Sequence, residues 1–114
     1  METDIAANIE KIKQRIAAAC ARAGRDPHSV ALMAVTKTVT TERILQAVDA
    51  GVTLLGENYV QEAREKHELL GGRARMHLIG HLQTNKAKYA VRLFDCVHSV
   101  DRLELAQELD RRAK

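Results

Sequence analysis

The sequence predicts an α/β protein made of parallel strand-helix units, in which an amino-terminal helix is followed by four such units. Short apolar runs alternate along the chain with segments whose apolar residues recur at steps of three and four. Strands that alternate with helices of this length favour right-handed crossovers and a parallel sheet. Four units fit a small open sheet, and they fit equally well the first half of a TIM-type barrel, which needs about 250 residues when complete.

The composition is that of one globular domain, which we expect to cover residues 1–114. Hydrophobic residues make up 46% of the chain and charged residues 29%, both ordinary values. Apolar runs stay below the roughly 18 residues of a membrane span, and the amino terminus lacks the basic start of a secretion signal, so a cytoplasmic location is expected. With only 3% aromatic residues beside a net charge of +3, nucleic-acid binding is not expected.

The first helix is predicted over residues 3–23, where apolar residues form one stripe and Gly24 supplies the stop. The apolar run 30–35 then predicts a strand buried on both faces, ending at Thr36 and Lys37. A lysine at the carboxyl end of such a strand lies where α/β folds place their chemistry. Desolvation is expected to favour its neutral form, which can attack an aldehyde; the alternative is a lysine that only reaches water at a strand end.

The remaining units are predicted from caps and apolar spacing. Thr40 or Thr41 can cap a helix that ends at Gly51, and strands are predicted over 52–55, 76–79 and 94–100. The third helix is predicted to be capped by Asn58 and Gln61, and its inward residues are Val60, Ala63, His67 and Leu70. The fourth is predicted to be capped by Thr84, with Ala87, Ala90 and Val91 facing inward. The last is predicted to be capped by Asp101 and Glu104, with Leu103, Ala106 and Leu109 facing inward. Both cysteines, Cys20 and Cys96, are expected to be reduced and buried.

Three segments that follow predicted strands carry the functional signal: Thr36-Lys37-Thr38, residues 56–62 (GENYVQE) and residues 77–86 (HLIGHLQTNK). In this order, and over essentially the whole chain, they resemble the amino-terminal part of the pyridoxal 5′-phosphate (PLP) homeostasis family of the YggS/PROSC type. The fold of that family is similar to the barrel domain of alanine racemase.

The resemblance implies that Lys37 forms a Schiff base with the cofactor PLP. It also implies that Asn58 and His77 point toward the cofactor, the first as an amide donor or acceptor and the second as a polar wall. Without the resemblance, Asn58 reads as a helix cap. Glu57 could orient neighbouring groups or pair with a base, although a charged residue on a loop is usually solvated. A zinc pair of His77 and His81 is not expected, because Gly80 lies between them on a strand-to-turn segment.

Family members run to about twice this length, and by the resemblance their second half carries the loops that hold the cofactor phosphate. Half a barrel exposes two strand edges and one uncovered sheet face. We therefore expect self-association or a complementary carboxyl-terminal half as partner. Three hypotheses remain open: PLP binding and homeostasis without substrate turnover, half of a PLP-dependent racemase-like enzyme, or a non-binding assembly fragment.

Overall fold

A computed structural model describes residues 4–114 as five helices and four strands. The helices are α1 (Ile5–Ala23), α2 (Thr41–Asp49), α3 (Val60–Leu70), α4 (Ala87–Leu93) and α5 (Leu103–Ala113). The strands are β1 (Ala34–Val35), β2 (Leu54–Glu57), β3 (Arg75–Leu78) and β4 (Cys96–Val97). Two single turns of 3-10 helix, Pro27–Ser29 and Thr84–Lys86, precede β1 and α4. In residues 4–114, no helix combines the length and the hydropathy needed to cross a membrane.

The four strands form one parallel sheet in the order β1-β2-β3-β4. Because each strand lies beside the next one along the chain, right-handed crossovers place the connecting helices on the same face of the sheet. This is the arrangement of successive units in a TIM-type barrel. The predicted fold class, parallel strand-helix units after an amino-terminal helix, is confirmed.

The two faces of the sheet differ in what they carry. Leu55, Met76 and Leu78 belong to the core against the helices, and each is at most 2% exposed. Side chains alternate along a strand, so the neighbouring positions share the other side of the sheet. We call this side the second face; its aligned residues are Val35, Gly56, His77 and Cys96.

Both ends of α1 and the start of α2 follow caps that the sequence carries. The side chain of Asp4 accepts a hydrogen bond from the Ala7 N–H at 3.0 Å, and Gly24 ends α1 in the left-handed region with a φ of 69°. Thr40 caps α2, as one of the two predicted threonines. The predicted start of α1 at residue 3 lies outside the described residues.

The first and last predicted strands are much shorter than the apolar runs indicated. Only Ala34 and Val35 pair with β2, and Val30, the first residue of the run, is the C-cap of the preceding 3-10 turn. Burial of this strand on both faces is also wrong, because β1 lies at one edge of the described sheet and Val35 is 49% exposed. The predicted strand 94–100 is likewise reduced to Cys96–Val97, and Cys96 is exposed rather than buried.

Several predicted caps and inward-facing residues are wrong. No side-chain cap bond forms at the start of α3 or α5, whose first turns follow Tyr59 and Arg102. Thr84 begins the 3-10 turn instead of capping it. In α3 the predicted inward residue His67 is exposed while Lys66 is buried, and in α5 Leu103 is 73% exposed while Leu105 is fully buried. The buried face of α5 is therefore rotated from the predicted stripe, whereas α3 buries Ala63 and Leu70 as predicted.

Candidate functional site

The three predicted site residues gather at the carboxyl edge of three adjacent strands. Val35 pairs with Gly56, and Gly56 pairs with His77. Lys37 and Asn58 each lie two residues beyond this row, and His77 lies in it. Neighbouring strands are about 4.8 Å apart, so an amine, an amide and an imidazole are brought to one rim of the sheet.

Lys37 lies in a tight turn that directly follows β1. The Thr36 N–H donates to Gly56 O at 3.2 Å, and the Val39 N–H donates back to Thr36 O at 3.1 Å. Thr38 has a φ of 61°, which is uncommon for a β-branched residue. Lys37 itself is exposed, so the expectation that burial desolvates its amine is wrong for this chain.

The turn rests on a buried lysine that the sequence analysis did not single out. Lys66 of α3 is 6% exposed and Glu57 of β2 is fully buried. The Lys66 Nζ donates to Thr36 O at 2.8 Å, to Thr36 Oγ1 at 3.0 Å, and to Glu57 Oε2 at 2.9 Å. The Thr36 hydroxyl in turn donates to the other carboxylate oxygen of Glu57. Glu57 is therefore not a solvated loop residue but pairs with a base, which is the alternative that the sequence left open.

A second carboxylate extends this network to the far side of Lys37. Glu62 Oε1 accepts from Lys66 Nζ at 3.1 Å and from the Thr38 N–H at 3.2 Å. Burial acts to raise the pKa of Glu62, but the hydrogen bonds from Lys66 and Thr38 outweigh it, and the pKa lies below its usual range. Thr36, Glu57, Glu62 and Lys66, which we call the Lys66 network, thus hold the backbone on both sides of Lys37.

Asn58 is held by a close approach of two loops. A Cβ atom on Gly80 would stand 2.8 Å from Asn58 Cα and closer still to its carbonyl oxygen. Only glycine therefore allows the loop after β3 to touch the loop after β2. Asn58 Oδ1 is buried without a hydrogen-bond partner among the described residues. A buried acceptor left in this state is costly, and it is available to a ligand that donates a hydrogen bond.

A groove of about 630 Å³ lies between the same two loops. Asn58, Gly80 and His81 line it near the sheet, and Lys86 and Tyr89 line it farther out. Lys37 is not among the residues that line this groove. The groove therefore extends the site on the Asn58 side only.

His77 lies on the second face beside another imidazole. Its Nδ1 is 3.0 Å from His98 Nε2, and the two ring centroids are 5.2 Å apart. Burial lowers the pKa of His77, and the nearby His98 and Arg75 lower it further. The His77 imidazole is therefore neutral near neutral pH, which is compatible with the role that the resemblance implies.

The loop before α5 braces the loop after β3, a connection that the sequence analysis missed. The Arg102 guanidinium donates to Leu82 O at 2.7 Å and to Thr84 Oγ1 at 3.1 Å. The Ser99 hydroxyl donates to Gly80 O at 2.6 Å. These bonds join sequence positions about 20 residues apart, so no local pattern reveals them.

The sequence contains a weak indication of the Lys66 network. Glu62 and Lys66 stand four residues apart with the carboxylate first, a favourable helical spacing. Such pairs are usually exposed, however, and only the strand register places Glu57 beneath α3. The sequence could therefore indicate the pair but not its burial.

Fold and site together define a class of protein: a half-barrel of parallel strand-helix units with an amine, an amide and an imidazole at its carboxyl rim. The model of the alanine racemase N-terminal domain family matches residues 4–114, and the chain belongs to that family. The predicted resemblance is confirmed.

Curated relatives are similar to this chain over nearly its whole length. The pyridoxal phosphate homeostasis protein of Escherichia coli strain K12 is 41% identical over 111 residues, which cover 94% of this chain and 47% of the relative. The protein of the same name from Pseudomonas aeruginosa is 46% identical over 106 residues, covering 92% and 46%. The chain thus spans about half the length of the curated relatives it matches.

Two solved structures share the fold. The crystal structure of an unknown protein from Bifidobacterium adolescentis superposes with a TM-score of 0.84 at 36% identity, covering 96% of this chain and 49% of that one. PipY of Synechococcus elongatus, solved with PLP bound, superposes with a TM-score of 0.72 at 44% identity, covering 89% and 47%.

Proposed function

We propose that this chain binds PLP through a Schiff base at Lys37 and takes part in PLP homeostasis without substrate turnover of its own. The observation that carries the proposal is the position of Lys37, in a turn held from both sides at the carboxyl end of β1. The names of the curated relatives and the PLP bound in PipY support the choice of ligand.

The residues at the rim fit such a ligand. PLP supplies an aldehyde, and the exposed Lys37 amine is sterically free to attack it. The unpaired Asn58 Oδ1 can accept a hydrogen bond from a ring substituent. His77 offers a polar wall at the position of its strand that pairs with Gly56, two residues before Asn58. The roles of Asn58 and His77 stay predictions.

Specificity for Lys37 over the other lysines must come from position, because the amine is exposed. The Lys66 network fixes Thr36 and Thr38, so the Lys37 side chain starts from one defined backbone geometry. A pre-oriented amine reacts more readily than a freely moving one. Lys66 itself cannot compete for the aldehyde, since its amine is buried in four hydrogen bonds.

Borohydride trapping tests the proposal. The 114-residue chain is mixed with PLP, reduced, digested, and mapped by mass spectrometry. We expect the pyridoxyl group on Lys37 well before it is found on surface lysines such as Lys11. In Lys37→Ala we expect this rapid labelling to be lost and only the slower labelling of surface lysines to remain. Equal labelling of Lys37 and Lys11 would contradict the proposal and favour the non-binding assembly fragment.

Asn58 is tested in the same assay by Asn58→Ala. If its amide contacts the cofactor, trapping at Lys37 slows while the unfolding midpoint changes little, because its oxygen has no hydrogen bond in the described chain. Gln46→Ala is the matched control, since Gln46 is an exposed amide in α2 that does not line the groove.

We further propose that the chain associates, with a second copy or with a complementary carboxyl-terminal half. The edge strand β1 and the exposed residues of the second face support this, because a sheet with an uncovered face and unpaired edges tends to find a partner. Light scattering on the purified chain is the test. A monodisperse monomer at high concentration would contradict self-association.

A further inference from the structure

A group of metal-ligand side chains lies on the second face of the sheet, where β3 and β4 pair. His77 of β3 pairs in register with Cys96 of β4. His98 follows two residues after Cys96, so strand alternation directs it to the same side. The ligand atoms of all three residues lie within 4.8 Å of one another.

The distances suit a single small cation. His77 Nδ1 and His98 Nε2 are 3.0 Å apart. Two nitrogens bound to one tetrahedral zinc ion at about 2.0 to 2.1 Å stand about 3.3 Å apart. The pair of imidazoles therefore needs to open by only a few tenths of an ångström.

The third ligand can adjust to complete the set. Cys96 is exposed, so its side chain can rotate without disturbing the core. A sulfur bound at about 2.3 Å would lie about 3.6 Å from each nitrogen, a distance reached by a modest closing of the group. The backbone is fixed meanwhile, because the His98 N–H donates to Leu78 O at 2.9 Å.

We propose that His77, Cys96 and His98 form a binding site for a divalent cation of the zinc type. Two imidazoles and a thiolate are the ligands preferred by zinc and related transition metals, whereas magnesium and calcium require oxygen ligands. Three protein ligands leave the fourth position to water or an external ligand. The site shares His77 with the proposed cofactor wall, but neither Cys96 nor His98 has a part in that proposal.

The charges around the site are mixed. Arg75 lies two residues before His77 on the same face, and Asp95 precedes Cys96; the first disfavours a cation and the second favours it. Binding releases the Cys96 proton to solvent, and the bound thiolate then cancels one of the two positive charges of the metal. The affinity for a cation is therefore expected to depend mainly on the three ligands and not on the surrounding charges.

Cobalt(II) is the probe, because a thiolate ligand gives it a strong sulfur-to-metal charge-transfer band that nitrogen and oxygen ligands do not give. The reduced 114-residue chain is titrated with cobalt(II) in the absence of PLP. We expect one equivalent to produce this band and zinc to displace it. Cys96→Ser should abolish the band, and His98→Asn should weaken binding by at least about tenfold.

Two control variants keep the test specific. His81→Asn removes an exposed imidazole four residues from His77, and Cys20→Ser removes the other thiol, which is buried in α1. Both should leave the charge-transfer band unchanged. Lys37→Ala should also retain it, so failure of the metal site and failure of the PLP proposal are distinguishable.

A second measurement follows the thiol itself. Zinc should slow alkylation of Cys96 by iodoacetamide at least about tenfold in the unaltered chain, but not in His98→Asn. Absence of the cobalt band, its persistence in Cys96→Ser, or equal alkylation rates with and without zinc would overturn the proposal. In that case the two imidazoles would form only a hydrogen bond between neighbouring strands.

Discussion

Lys66 is the single residue on which the geometry around Lys37 most depends. Its ammonium group donates hydrogen bonds to a backbone carbonyl, a hydroxyl and two carboxylates. A buried ion pair of this kind adds little net stability against well-packed apolar residues, yet removing one partner leaves an uncompensated buried charge. The network therefore specifies the shape of the turn more than it stabilises the fold.

Lys66→Met should destabilise the chain by roughly 3 to 5 kcal/mol, because Glu57 is then left buried and unpaired. Urea unfolding followed by circular dichroism measures this loss. Lys11→Met, which removes an exposed lysine from α1, should change stability by no more than about 0.5 kcal/mol.

The double variant Lys66→Met with Glu57→Leu separates charge from packing. Removing both partners should recover part of the stability lost in Lys66→Met, since no buried charge remains. If the double variant is less stable than Lys66→Met by the full effect of a second independent substitution, the pair does not interact as the distances indicate.

Glu62 should give the chain a defined loss of stability in acid. Its pKa is lower in the folded chain than the ordinary value of 4.5, so the unfolded chain binds the proton more tightly. The stabilisation from the Glu62 carboxylate is complete above pH 4.5 and is lost as the pH falls from there through the folded pKa.

The measurement is urea unfolding across this pH range for the unaltered chain and for Glu62→Gln. The difference in unfolding free energy between the two should shrink as the pH falls below 4.5. Glu65→Gln, which removes an exposed carboxylate from the same helix, is the control. A difference that stays constant with pH would show that the bonds from Lys66 and Thr38 do not form.

Among the elements, α5 provides the sharpest test of how a helix is rotated against the core. Leu105 is fully buried and belongs to the core, whereas Leu103 is 73% exposed. Leu105→Ala should cost about 2 to 5 kcal/mol through lost burial and the cavity left behind. Leu103→Ala should cost no more than about 0.5 kcal/mol, and equal costs in thermal or urea unfolding would contradict this rotation.

The loop after β3 depends on a close backbone contact. An alanine at Gly80 would collide with the Asn58 backbone, whereas one at Gly56 would meet chiefly the Sδ of Met33, the flexible end of a side chain. Gly80→Ala should therefore destabilise by about 1 to 3 kcal/mol, and Gly56→Ala by less. Differential scanning calorimetry of both variants is the check, and a larger loss for Gly56→Ala would contradict it.

Sequence patterns predicted the order of elements well because each helix and strand has a local signal. Gly24, Thr40 and Gly71 mark helix ends that the structure shows, and apolar runs locate all four strands. The first strand was predicted too long because residues such as Leu32 pack against the core without joining the ladder, which an apolar run cannot distinguish.

The site was only partly predictable for a different reason. Lys37 is visible in the sequence because it ends an apolar run, but Lys66 and Glu57 meet only after α3 folds back over β2. The grouping of His77 with Cys96 and His98 likewise depends on the parallel register of β3 and β4, which aligns His77 with Cys96. Contacts of this kind are set by tertiary packing, which a single sequence does not encode as a local pattern.

At the scale of the whole molecule, the sheet is the feature that governs assembly. A complete barrel has no edges, because its first and last strands pair. Here β1 and β4 lie at opposite ends of the described sheet. On the edge strand β1, Val35 is 49% exposed and offers an apolar side chain to any chain that pairs there.

Val35→Lys should reduce self-association, because a charged residue on an edge strand opposes pairing with another chain. Light scattering over a range of protein concentrations should show a lower mean mass than for the unaltered chain. The thermal midpoint of the unaltered chain should rise with concentration, as for any associating protein, and that of Val35→Lys should rise less.

Leu69→Lys is the matched control, since Leu69 is 41% exposed but lies on α3. If both variants lower the mass equally, association proceeds through the helical surface, and the strand edge has no special part in it.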